Sequence, residues 1–154
     1  MKKIFKMIAK LNLKTLYFNF KYLPFKQAIK IPVLVSKKVY FKVISGRIII
    51  DCPIETGLIQ IGYGYVGIFD EKKSRSIWEV SGTVIFKGKC NIGHGSKITV
   101  GKNGTLEFGK NFIITAESSI VAFKEVKFGN DCLLSWDILV IDTDFHKLKD
   151  ENGN

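Results

Sequence analysis

Residues 92–109 read IGHGSKITVGKNGTLEFG, and residues 128–146 read FGNDCLLSWDILVIDTDFH. In both stretches a bulky apolar residue recurs every six positions. Working outward gives three registers: Val80, Phe86, Ile92 and Ile98; then Phe108, Ile114, Ile120 and Val126; then Phe128, Leu134 and Val140. Slips of two residues separate the registers. No period of 3.6 runs through this part of the chain, which removes the amphipathic helix as its building block. A six-residue period is the mark of a parallel β-helix, in which each hexad supplies one short strand and one turn. Thirteen of the fourteen glycines lie between Gly46 and Gly129, six of them directly after a bulky apolar residue. Gly93, Gly101, Gly104, Gly109 and Gly129, with Asn103, Asn111 and Asn130, are expected at turns where a positive φ makes a Cβ costly. β-Sandwich strands would alternate in twos with turns every 8–12 residues or so, and this pattern is less consistent here.

Composition bounds the rest. The 154 residues suffice for one ordinary domain or part of a larger one. With 46% hydrophobic and 25% charged residues, the chain is neither disordered nor of low complexity. No apolar window is long enough for a membrane-spanning helix. The formal charge of +10 is unevenly placed: residues 1–50 hold twelve Lys/Arg and no acid, the first being Asp51, whereas the remainder is near neutral. Three scattered cysteines, Cys52, Cys90 and Cys132, form no C-x-x-C pair. They read as buried thiols in a reducing compartment, and no secretory signal is evident, so the expected location is the cytoplasm.

In the basic segment, Lys2, Lys6, Lys10 and Lys14 recur every four residues opposite Ile4, Ile8, Leu11 and Thr15, as on a helix with one cationic stripe and one apolar face. Two readings stand beside each other: a helix packed on the body with solvated lysines, or a helix lying on an anionic membrane surface. Nucleic-acid binding has only the charge in its favour. The domain division expected is a basic N-terminal helix and extended segment over 1–50, a β-helix over 51–148, and a polar end over 149–154.

The ordered hexads, ending in S-W-D at 135–137 and D-T-D-F-H at 142–146, resemble the hexapeptide-repeat acyltransferases, most closely the maltose and galactoside O-acetyltransferase-like branch associated with surface-polysaccharide synthesis. The resemblance covers roughly residues 57–148. It implies a left-handed parallel β-helix, a homotrimer, and acetyl-CoA as co-substrate in clefts between subunits, with a glycan hydroxyl as acceptor and no bound cofactor or metal. His146 matches the catalytic histidine of that family. Acyl transfer to a hydroxyl needs a base titrating near neutrality, which suits imidazole. On an extended segment Asp142, Asp144 and His146 project to one side, so either carboxylate could orient the ring. Trp136 is expected to offer a sugar platform. Glu117 lies near where a relative carries an acceptor-binding Asn and departs from that pattern. His94, beside a glycine in a turn, reads as structural.

Three competing readings are weaker or remain open. D-T-D at 142–144 matches a glycosyltransferase metal motif, but the expected βαβ units are absent. A zinc enzyme of carbonic-anhydrase type would need three histidines, and the chain has two. A catalytically inactive β-helix, serving as scaffold or binding module, is the alternative to the enzyme. The polar stretch D-E-N-G-N at 150–154 resembles no cap, so the chain is expected to be the N-terminal part of a longer enzyme and to have little activity alone.

Overall fold

The computed structural model describes residues 10–145. Among these residues fourteen short strands follow two helices, α1 (Leu13–Tyr22) and α2 (Phe25–Ala28). The strands fall into three parallel sheets, each collecting every third strand. Sheet A holds β1 (Val33–Val35), β4 (Ile59–Tyr63), β7 (Cys90–His94), β10 (Phe112–Ala116) and β13 (Leu133–Leu134). Sheet B holds β2 (Tyr40–Ile44), β5 (Ile77–Val80), β8 (Lys97–Val100), β11 (Ser119–Ala122) and β14 (Leu139–Ile141). Sheet C holds β3 (Arg47–Ile50), β6 (Thr83–Phe86), β9 (Thr105–Phe108) and β12 (Glu125–Phe128). Each run from sheet A through B to C is one coil, and about five coils make a parallel β-solenoid. Its first coil is β1–β3, so the solenoid already begins inside the basic segment, at Val33 rather than beyond residue 50.

The hexad registers mark the interior. Val80, Phe86, Ile92, Ile98, Phe108, Ile114, Ile120 and Val126 are all buried, and Phe128, Leu134 and Val140 pack against them. Most strands bury two alternate residues, as the two-residue side-chain period requires: β6 buries Val84 with Phe86, and β9 buries Leu106 with Phe108. From β5 onward, register partners in successive coils are 20 or 22 residues apart, as in Trp78↔Ile98 and Ile98↔Ile120. Corners of unequal length, Gly95–Ser96 against Gly101–Gly104, account for the slips. Like residues therefore stack on like. Phe86, Phe108 and Phe128 form a ladder with centroids 5.4 and 5.9 Å apart and nearly parallel planes. Phe112 leans against the last two rings at 4.6 and 4.7 Å.

The glycines serve a different purpose from the one their sequence context suggests. Of the turn residues expected at positive φ, only Asn111 adopts it (φ 57°). Gly93 and Gly104 are needed because the next coil lies against them. A Cβ on Gly93 would come within 2.0 Å of the Thr115 carbonyl oxygen, and one on Gly104 within 2.2 Å of that of Ala122. Five of the left-handed positions stack in two columns instead: Gly95, Glu117 and Asp137 at the corner between sheets A and B, and Asn111 with Asp131 at the corner between C and A.

α1 closes the edge of sheet A. β1 is the outermost strand there, and its free backbone groups are taken by side chains of the helix. Asn19 Nδ2 donates to Val33 O (2.7 Å) while Asn19 Oδ1 accepts from Val33 N (3.1 Å). Thr15 Oγ1 does the same with Val35, at 3.0 Å to the carbonyl and 2.9 Å from the N–H. The match is geometric: four helical residues rise about 6 Å and two strand residues about 6.6 Å. Asn12 caps the helix, its Oδ1 accepting from Lys14 N and Thr15 N. Phe18 reaches the core and meets Trp78 edge-on at 5.3 Å. The Trp78 indole N–H donates to the Tyr22 hydroxyl at 3.1 Å, and burial pushes that phenol up to about 12. Of the helix foreseen on Lys2, Lys6, Lys10 and Lys14, residues 1–9 lie outside the described residues, Lys10 is in a turn before Asn12, and Lys14 and Thr15 fall in α1.

Candidate functional site

The corner between sheets A and B stacks three turns: Gly95–Ser96, Glu117–Ser118 and Ser135–Ile138. Below them, between β4 and β5, the chain makes its longest departure from the coil, residues 64–76. This loop is tied back at several points. Asp70 Oδ1 accepts from Lys72 N at 2.9 Å and closes its turn. Lys38 Nζ donates to the Glu71 carbonyl. Arg75 lies over the Tyr40 ring at 4.7 Å. Phe69 meets the His94 imidazole edge-on at 6.2 Å.

At the centre of the corner Ser74 bridges two groups. Its hydroxyl donates to Glu117 Oε1 and lies 3.0 Å from His94 Nδ1. An ionised carboxylate only accepts, so the single hydroxyl proton points to Glu117, and the imidazole donates to Ser74 Oγ from Nδ1. A Ser–His–acid nucleophile needs the opposite order, with imidazole between hydroxyl and carboxylate and its lone pair on the hydroxyl. The cluster is therefore a clamp on the loop and not an acylating serine. Glu117 is further held by its N–H to His94 O (2.9 Å) and by Lys97 Nζ at 3.8 Å. His94 is buried, as its sequence reading as a structural residue implied, and its Nε2 has no partner among the described residues. Sequence spacing carried no hint of Ser74, which lies 20 residues from His94 and 43 from Glu117 on a loop outside the repeat.

The residues singled out from the sequence occupy two corners. Glu117 and Trp136 share the A–B corner, and the indole of Trp136 is 42% exposed. Asp142 and Asp144 follow β14 at the corner between B and C. The three residues of β14 separate the two groups by roughly 10 Å. Asp142 is bound to the turn of the coil before it: Oδ1 accepts from Phe123 N and Oδ2 from Lys124 N, both at 2.7 Å. Slight burial works against its charge, and these backbone N–H bonds outweigh it, holding the carboxyl below its usual range. Phe145 stacks edge-on against Phe123 at 4.9 Å. His146 lies outside the described residues.

A groove of about 520 Å³ runs along the outer face of sheet A, lined among others by Gln60, Tyr63, Lys89, Asn91 and Ile113. Lys10 Nζ donates to Gln60 Oε1 at 2.5 Å and sits 4.5 Å over the Tyr63 ring at its margin. None of the described candidate site residues, Glu117, Trp136, Asp142 and Asp144, lines it, because its outer wall is made by outward members of the strands, which carry no hexad signal. Of the cysteines, Cys90 is in the core, where burial drives its thiol well above the ordinary value, and Cys52 and Cys132 are half-buried free thiols. Comparison of the chain with protein-family models, with curated proteins and with solved structures returned no match.

Proposed function

We propose that the chain is an acyl-CoA-dependent O-acyltransferase, or the N-terminal part of one, acting on a hydroxyl of a surface-glycan precursor. The observation that carries this reading is the position of Trp136 and of the Asp142–Phe145 segment: both lie on the outside of the same solenoid coil, at its two corners, with His146 next in the chain. Acetyl-CoA as donor, the left-handed sense of the coil and a trimer belong to the resemblance, and are proposed with it. The roughly 10 Å between the corners also favours a cleft shared by neighbouring copies, since one copy's exposed indole could face another copy's acidic turn.

In this scheme His146 takes the proton of the acceptor hydroxyl as its oxygen attacks the thioester carbonyl. A C–O bond forms, the C–S bond breaks, and the proton passes to the departing CoA thiolate, with no covalent enzyme intermediate. Asp144 is the better candidate for orienting the imidazole, because Asp142 already spends both oxygens on the Phe123–Lys124 turn. Trp136 supplies an apolar face for a pyranose ring. The loop clamp at Glu117 fixes the wall beneath that indole. The second reading, an inactive scaffold, draws on one observation: Glu117 is engaged by Ser74 and Lys97 rather than standing ready for an acceptor.

The test is release of CoA thiol from acetyl-CoA in the presence of a panel of hexoses and nucleotide-linked sugars, using the longest form that the gene encodes. His146→Ala should lower kcat/KM by about 10²–10⁴. Asp144→Asn should lower kcat more than it raises KM. Undiminished turnover in His146→Ala removes the proposed base; no turnover with any acceptor favours the scaffold.

A further inference from the structure

α1 carries an apolar side that does not face the solenoid. Thr15, Phe18 and Asn19 face the solenoid and are buried. On the other side Leu13, Leu16, Tyr17 and Phe20 recur at the spacing of a single helical face, and all are exposed, Leu13 to 84%. α2 and the residue after it extend this face with Phe25 (71% exposed) and Ile29 (53%). The Phe20 and Phe25 rings lie 6.1 Å apart, so the two helices share one surface. A helix flanking a globular core ordinarily turns polar residues outward, and a contiguous apolar patch of this kind marks a contact surface. Exposed Lys21, Lys26 and Lys30 surround it, and no acid occurs anywhere in residues 1–50. No described helix is long and apolar enough to cross a membrane.

Charge selects the occupant. A second copy of this face would bring the same lysines together with no carboxylate to neutralise them. An acidic protein would suit the lysines, but the apolar residues project from the convex side of a helix and would need matching sockets. An anionic bilayer supplies both parts: a deformable apolar layer for Leu13, Phe20 and Phe25, and phosphates at the depth of the lysine ammonium groups. We propose that α1 and α2 form a peripheral docking face for an anionic lipid bilayer. Because α1 lies on the free edge of β1, the coils stack away from the bilayer, which places the corner carrying Trp136 about four strand spacings, or roughly 20 Å, beyond β1. The docking face stands apart from the acyl-transfer reading, and either can fail alone.

The test is co-sedimentation of the full chain with vesicles of phosphatidylglycerol and phosphatidylcholine, against vesicles of phosphatidylcholine alone. Binding is expected to the first and to be far weaker to the second. Phe20→Ser with Phe25→Ser, and separately Lys21→Glu with Lys26→Glu, should each weaken it by roughly tenfold or more, with circular dichroism unchanged because all four side chains are exposed. Failure of the wild-type chain to bind anionic vesicles would overturn the proposal. So would binding that survives the Phe pair, which would mean charge alone with no insertion. Self-association in sedimentation velocity, lost in the Phe pair and without vesicle binding, would reassign the face to a second copy.

Discussion

At Asn19 a single side-chain amide exchanges both hydrogen bonds with Val33 as a neighbouring strand would, and Thr15 repeats this one helical turn earlier with Val35. Both side chains are fully buried, so water cannot replace them. Asn19→Leu keeps the size but leaves the Val33 N–H and C=O without partners, at roughly 1–3 kcal/mol for each orphaned group. The expected loss in urea unfolding is about 2–4 kcal/mol, against under about 1 kcal/mol for an exposed control on the same helix such as Lys21→Ala. Equal losses at the two positions would mean that the amide is not standing in for a strand. Gly95 is constrained by both φ and space: at φ 71° a Cβ there would meet Glu117 Oε1 at 2.0 Å and Ser74 Oγ at 2.5 Å. Gly95→Ala combines backbone strain with ejection of the clamp.

Among the elements, β14 is joined to its neighbour by more than its strand pairing, since Asp142 ties the turn after it to the turn after β11. The Asp142 carboxyl is held below its usual range, so the folded state takes up its proton less readily than the unfolded chain. That contribution is complete above the ordinary carboxylate range and is lost as pH falls through the lowered folded value. The Tm gap between wild type and Asp142→Ala should therefore be present at neutral pH and narrow in acid, as pH falls through the lowered folded value; a gap independent of pH would exclude the charge as its source. This tie also shows what a sequence can and cannot disclose. D-T-D reads naturally as a metal or catalytic motif, because those chemistries need carboxylates at alternate positions. That Asp142 caps a turn depends on Phe123 and Lys124 lying one coil away, a register that corners of unequal length conceal. The hexad period exposed the buried stack because burial repeats with the coil. It was silent on Ser74 and on the 64–76 loop, which do not repeat, and on α1, where Thr15 and Asn19 are polar residues in a place that pattern reading reserves for apolar ones. At the turn glycines, φ and close approach of a neighbouring coil both favour glycine, and only the stack tells them apart.

The molecule as a whole behaves as a one-dimensional stack, because each coil meets only the coils before and after it. In such a stack the cost of a defect depends on how many neighbours it severs. Phe108 is fully buried and has a parallel ring on each side, Phe86 at 5.4 Å and Phe128 at 5.9 Å, with Phe112 tilted against it at 4.6 Å. Phe128 has Phe108 on one side and Phe112 at 4.7 Å, and is only partly buried. Phe108→Ala should therefore cost about 3–5 kcal/mol, and it should lower amide protection in the coils on both sides, since their coupling runs through that ring. Phe128→Ala should cost roughly half as much and should loosen β9 and β12 while leaving β3 and β6 protected. Hydrogen exchange resolved by peptide separates these patterns. If both variants lower protection uniformly from β1 to β14, the chain unfolds as one cooperative unit and the nearest-neighbour description fails. If the loss follows the ladder, the same local coupling lets α1 secure one edge of the stack without stiffening the coils at its far end.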